Sequence, residues 1–96
     1  MRVMARISIP VEAGNKGIAS GALPRLMQES AKRWNPEAMY FTTFDGRRTA
    51  YMVLDMVDSS AIPAFAEPFF NELNAEVELA PVMNGEDLQK GLSDLG

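Results

Sequence analysis

The chain has 96 residues, of which 47% are hydrophobic, and its net charge is −4. This length suits a single domain that buries roughly 60 to 65% of its unfolded surface, so a core without disulfides is feasible. Cysteine and histidine are both absent. Their absence excludes disulfides, thiolate metal sites, thiol nucleophiles and the usual histidine base or haem ligand, so we expect neither a metal nor a redox cofactor.

The charges are unevenly distributed along the chain. Residues 1–48 contain eight basic and four acidic side chains, whereas residues 49–96 contain one basic and nine acidic side chains. The asymmetry either guides the first half of one subunit toward the second half of another or reflects scattered solvated charges. The acidic total argues against nucleic acid. Arg2 and Arg6 interrupt any apolar N-terminal stretch, so we expect no signal peptide, no membrane span and a cytoplasmic location.

The first third of the chain predicts a strand followed by helix. Residues 2–9 alternate apolar and polar side chains, which is typical of a strand with one apolar face, and Pro10 ends it. Gly14, Asn15 and Gly17 predict a loop before a helix start. Helical spacing improves after Ile18, and Gly21 and Pro24 predict a break near Gly21 with the main helix from about residue 23.

A hairpin is the most secure local prediction. Residues 38–56 form two apolar runs joined at Asp45-Gly46, a pair that readily adopts the positive backbone angles of a tight turn. A two-residue turn pairs Tyr40 with Tyr51 and Phe41 with Ala50. A type I turn with a glycine bulge is the rival geometry and would place Phe41 beside Tyr51. We prefer the first register because it separates polar from apolar residues.

In the preferred register one hairpin face is nearly all apolar and is expected to pack against helices. This face carries Met39, Phe41, Ala50, Met52 and Leu54. The other face is mixed and carries Tyr40, Thr42, Thr49, Tyr51 and Val53.

The second half predicts helix, strand and helix. Asp58, Ser59 and Ser60 offer N-caps for a helix whose Pro68 is expected to kink or split it. The buried stripe of that helix comprises Ile62, Phe65, Ala66, Phe69 and Leu73. A strand follows over residues 75–82. Asn84 and Asp87 then resemble a capping box that opens a short helix, and its leucine stripe (Leu88, Leu92 and Leu95) needs a surface to lie against.

The predicted order β-α-β-β-α-β-α favours an α+β, ferredoxin-like domain. Right-handed crossovers place both main helices on one face of a four-stranded antiparallel sheet, with the first and third strands central. The other face would be bare in a single chain. It is too apolar for solvent and too mixed for a core, so we expect a second copy to cover it as an α/β barrel with a polar-lined cavity between the sheets.

Four segments resemble a known group of proteins: GNKGIASGALPRLMQ, PEAMYFTTFDGRRTAYMVLDM, IPAFAEPFF and AEVELAPVMNGEDL. Together they are similar to small, functionally uncharacterised bacterial proteins of the dimeric α/β-barrel superfamily, and the similarity spans nearly the whole chain. More distant members include muconolactone isomerases, cofactor-independent monooxygenases, and haem-degrading or chlorite-dismuting enzymes. The resemblance implies a homodimer formed through the sheet but no particular activity. Without histidine the chain departs from the histidine-dependent branches.

The candidate ligand-binding residues are Arg6, Tyr40, Tyr51, Glu67 and Glu78. A guanidinium at Arg6 could hold a carboxylate or an enolate, although an ion pair with Glu78 or Glu76 is the structural alternative. The tyrosines could donate to a ligand oxygen or simply pack. Glu67, next to Pro68, could accept a proton if it is buried.

Three further features are candidate binding sites for anions or RNA. The Gly14–Gly17 loop could form an anion nest. Arg47 and Arg48, beside the hairpin tip, could be solvated charges, contact a second subunit or recruit anions. The topology is shared with RNA-recognition motifs, but Thr49 replaces a stacking aromatic and the first strand has none. Three functions therefore remain: a homodimer that binds a small organic molecule, an isomerase or cofactor-independent oxygenase that uses Arg6, or a structural assembly module without a ligand.

Overall fold

A computed structural model describes all 96 residues of the chain. The strands are β1 (Arg2–Ile9), β2 (Ala38–Phe44), β3 (Arg47–Asp55) and β4 (Glu76–Pro81). The helices are α1 (Val11–Ser20), α2 (Ala22–Trp34), α3 (Ile62–Leu73) and α4 (Gly85–Ser93), and a 3-10 turn (Ser59–Ala61) precedes α3. The four strands form one antiparallel sheet in the order β2-β3-β1-β4, which confirms the ferredoxin-like α+β fold with a C-terminal helix.

The hairpin register agrees with the two-residue turn. Tyr40 lies opposite Tyr51 and Phe41 lies opposite Ala50. Asp45 and Gly46 have φ angles of 53° and 75°, so both turn residues occupy the left-handed region. Two consecutive positive φ angles match the right-handed twist of the strands they connect, and they leave no room for the rival bulge.

The core lies between one face of the sheet and the helices. Alternate residues of β1 and β3 meet the apolar stripe of α3, where Phe65, Phe69 and Leu73 are almost completely buried. The ring centroids of Trp34 and Phe65 are 5.6 Å apart in an edge-on arrangement, so the end of α2 joins the same core. The alternate apolar residues of the strands and the apolar faces of the helices therefore pack together in one core layer.

The segment predicted as a glycine loop is helical. Residues 11–20 form α1, in which Gly14 and Gly17 are buried, and Gly21 (φ 83°) then separates α1 from α2. A Cβ atom at Gly17 would lie 2.8 Å from Leu73 Cδ2. Glycine is used here for close packing rather than for a turn, and this packing outweighs its poor helix propensity.

Pro68 does not split α3, which runs unbroken from Ile62 to Leu73. Buried residues on both sides of the proline, Phe65 and Phe69 among them, hold the two halves of the helix against one core. That burial offsets the lost backbone hydrogen bond. The first residue of the predicted stripe, Ile62, is 39% exposed rather than buried.

Phe41 is the main exception on the helix-facing side of the sheet. The apolar pattern predicts that it packs against helices, yet 63% of its surface is exposed. Its strand β2 is an edge of the sheet. The helices pack mainly over the two central strands, β3 and β1. A residue of an edge strand can therefore face the helical side of the sheet and still extend past the helices into solvent.

Candidate functional site

Arg6 occupies the centre of the bare sheet face. It lies in β1, opposite Tyr51 of β3 on one side and Glu78 of β4 on the other. Because β1 is a central strand, side chains of both neighbouring strands flank this position. The sheet thus brings together three of the predicted site residues on one face.

The Arg6 guanidinium is already engaged within the single chain. One of its terminal nitrogens donates to Glu78 Oε2, and its central carbon lies 4.1 Å from the centroid of the Phe44 ring. The Arg6 side chain is 29% exposed. Ion pairs open to solvent contribute about 0 to 1 kcal/mol, and a cation over an exposed ring contributes about 0.5 to 1 kcal/mol. The predicted ion pair between Arg6 and Glu78 is therefore confirmed.

A second ion pair lies beside the first at the hairpin end of the face. Arg47 Nη1 and Glu76 Oε1 are 3.2 Å apart. Arg6, Phe44 and Arg47 line a small hollow with the two glutamates. Each arginine there has a carboxylate partner, so the charge that would attract an anion is largely neutralised.

An open groove of about 460 Å³ occupies the other end of the same face, along β1 and β4. Arg6 and Glu78 form its polar end, and the remaining lining residues are Met4, Tyr51, Leu79, Ala80 and Val82. A mainly apolar wall with a few polar groups at one end is the usual composition of a small-molecule site, which is normally more enclosed.

The two tyrosines differ in their surroundings. Tyr51 is half-buried and lines the groove, whereas Tyr40 is 70% exposed on edge strand β2. Opposite positions in antiparallel strands bring the two side chains within contact range. Only Tyr51 is placed to meet a molecule in the groove of a single chain.

Glu67 does not join this group. It is exposed on α3, which packs against the opposite face of the sheet from Arg6. The sheet therefore separates the Glu67 carboxylate from the groove within one chain. Phe70, on the same helix, is 42% exposed.

The structure rules out an anion nest between Gly14 and Gly17, which is one interpretation of this segment's sequence. Both glycines are buried within α1, and the Gly14 amide donates to the Pro10 carbonyl at 2.8 Å. Arg48 also differs from the solvated charge that was one expectation. Its guanidinium crosses Gly14, donating to the Val11 carbonyl at 3.4 Å and to Asn15 Oδ1 at 3.0 Å. Arg47 and Arg48 thus lie on opposite faces of the sheet: Arg47 pairs with Glu76 on the bare face, and Arg48 contacts α1 on the helix-facing side.

Phe44 is the site residue that the sequence analysis missed. It follows Tyr40 and Thr42 at a spacing of two, so alternation alone assigns it to the bare face. Its position as the last residue before the turn masked that signal. In the structure 42% of Phe44 is exposed, and its ring covers the Arg6 guanidinium.

Comparison with models of known protein families gives no match, and a search of curated proteins gives none either. None of the four helices combines the length and the apolar character that crossing a bilayer would require.

Proposed function

We propose that the protein is a homodimer formed through the bare sheet face, and that the space between the two sheets binds a small organic molecule. The observation that supports this most strongly is the concentration of exposed apolar and aromatic side chains on one sheet face around a groove. Met4, Tyr40 and Phe44 each keep more than a third of their surface exposed there. Antiparallel sheets often leave one polar face in solvent, but contiguous exposed apolar patches mark surfaces that a partner or ligand covers.

The groove lining indicates the chemistry of the ligand. An apolar body would contact Met4, Ala80 and Val82, and one polar group could hydrogen-bond to the Tyr51 hydroxyl. A carboxylate would have to displace Glu78 from Arg6, which costs an existing ion pair. The arrangement thus favours a neutral, mainly apolar molecule with a single polar group over a strongly anionic one. The resemblance to the dimeric α/β-barrel superfamily is consistent with this proposal.

A structural assembly module without a ligand is the second candidate. It is favoured by the Arg6–Glu78 pair, because a guanidinium reserved for a ligand would be expected to lack a partner within its own chain. In this reading the side chains of two facing sheets fill the interface, and the groove closes when the dimer forms. An enzymatic role for Arg6 gains no support from its occupied guanidinium.

Native mass spectrometry of the protein as purified separates the two candidates. Ligand binding predicts a dimer that carries an excess mass, and the excess is lost when the chain is denatured. An Ala80→Phe variant should narrow the groove, and reduced excess mass on a surviving dimer would place the ligand there. A dimer without excess mass, whose melting temperature no small apolar alcohol or phenol raises, supports the structural module. A monomer would refute both candidates.

A further inference from the structure

Helix α4 is exposed along its whole length. Asn84 and Asp87 form a complete capping box, so the helix begins at a defined point. Its only ion pair with the body of the domain is at its first turn, where Arg2 Nη1 lies 2.9 Å from Asp87 Oδ2. The radius of gyration, 15.1 Å, exceeds the roughly 12 to 13 Å of a compact chain of this length. Both observations describe an element that stands away from the core.

The apolar stripe of α4 has no partner in its own chain. Leu88, Leu92 and Leu95 are 46%, 54% and 82% exposed. Leu88 and Leu92, four residues apart, lie on one side of α4, and Leu95 follows two residues after its last helical residue, Ser93. A helix of nine residues is marginal in water without packing, so a stable α4 needs a surface for this stripe.

An apolar surface of matching character lies on edge strand β2. Phe41 is 63% exposed on the helix-facing side of that strand. Lys32 and Arg33, in the last turn of α2, lead into the same strand. Beyond Asn84 the chain carries three acidic side chains and one basic one, so the two surfaces have opposite charge.

Within the single chain these surfaces do not meet, because Phe41 and all three leucines remain exposed. Strands β2 and β4 are the two edges of one sheet, and Arg2, which pairs with both Glu37 and Asp87, links the first turn of α4 to the start of β2. Two sheets placed face to face, with the two-fold axis along the strands, bring each β4 edge beside the partner's β2 edge. Val3 pairs with Pro81, the last residue of β4. Its neighbour Met4 pairs with Val53, which in turn pairs with Ala38, the first residue of β2. The start of α4 and the start of β2 therefore lie at the same end of the sheet.

We propose that α4 is a docking arm whose leucine stripe covers Phe41 of a second copy of this chain. The lengths agree, since nine helical residues span about 13 Å and the three residue-to-residue steps from Ala38 to Phe41 span about 10 Å. The charge of the arm favours the basic end of α2 as its neighbour. This inference depends on the sheet-to-sheet dimer proposed above and specifies its axis and its outer contact.

Cysteine cross-linking tests the arm directly because the natural chain has no cysteine. Chains carrying Leu92→Cys are mixed with chains carrying Phe41→Cys and then oxidised. Each chain has one thiol, so any disulfide joins two chains. The proposal predicts a mixed dimer in high yield, and little product when Leu92→Cys is mixed with Glu29→Cys, an exposed position in α2. Efficient cross-linking of Leu92→Cys with itself would overturn the proposal in favour of helix-to-helix pairing of two α4 segments.

A second measurement keeps this inference separate from the dimer itself. Replacing Leu88, Leu92 and Leu95 by serine in the full chain should raise the dimer dissociation constant at least about tenfold. The matched control, Gln89→Ser, changes an exposed polar residue of the same helix and should leave the constant unchanged. If the triple variant has an unaltered dimer dissociation constant, the docking of α4 is refuted but the sheet-to-sheet dimer is not. If the natural chain is a monomer, both proposals are refuted.

Discussion

Replacing Gly17 by alanine should destabilise the domain even though alanine is the better helix former. A Cβ atom at this position would lie 2.8 Å from Leu73 Cδ2 and 3.2 Å from Leu23 Cβ. Leu73 is completely buried, so its methyl group cannot swing into solvent. Either α1 must move away from α3, or the leucine must leave its preferred rotamer.

The size of the effect follows from two opposing terms. Alanine in place of glycine gains about 1 kcal/mol of helix propensity, whereas overpacking a tight contact costs about 1 to 3 kcal/mol. The expected net loss of unfolding free energy is about 1 kcal/mol. For a domain of this size, that corresponds to a fall in melting temperature of about 4 to 8 °C.

Thermal and urea unfolding of Gly17→Ala and Gly14→Ala make a matched pair of measurements. At Gly14 the added Cβ would meet Arg48 Nη1 at 2.6 Å, but that atom is the end of a flexible side chain that can rotate into solvent. Gly14→Ala should therefore be neutral or slightly stabilising. If Gly17→Ala proves as stable as the natural protein while Gly14→Ala loses stability, the packing explanation of the two glycines is wrong.

Two further predictions concern charged residues. Hydrogen bonds from the Ser60 hydroxyl and then the Ser60 amide lower the pKa of Asp58 below its ordinary value of 3.8. The stabilisation from this carboxylate is therefore present above pH 3.8 and is lost as the pH falls through the lower, folded-state pKa. Asp58→Ala should melt below the natural protein at neutral pH, and a gap of unchanged size in strong acid would contradict this assignment. For the Arg6–Glu78 pair, a double-mutant cycle with Arg6→Met and Glu78→Gln at dilutions that give monomer should yield a coupling energy below about 1 kcal/mol, and a markedly larger value would mean that the pair is shielded from solvent in the single chain.

Local rules were sufficient where one pattern decided the structure alone. The Asp45-Gly46 turn, together with the register that best separates polar from apolar residues, gave the correct hairpin pairing, and with it the residue opposite Arg6 in β3. The Asn84–Asp87 capping box was likewise readable from side-chain chemistry. These elements depend on residues close in sequence, so no knowledge of the assembled core is needed.

Tertiary contacts decided the elements that local rules missed. By local rules, the glycines of α1 are interpreted as a loop signal. In the structure they allow close packing against Arg48 and Leu73, which lie far along the chain and which local rules do not take into account. Pro68 remains in an unbroken helix because both flanking turns are buried. Phe41 has the pattern of a core residue, yet its exposure depends on how far the helices extend over the sheet. The role of Phe44 could not be predicted locally, because its ring covers Arg6, a residue of a strand that is distant in sequence.

Multi-angle light scattering at micromolar concentration tests the central claim that a second copy covers the sheet face. The account predicts a mass near twice the 10.6 kDa of one chain. Tyr40→Glu, which adds a charge to that face without touching the core, should shift the mass toward that of a single chain. A natural protein that remains monomeric under these conditions would contradict the account.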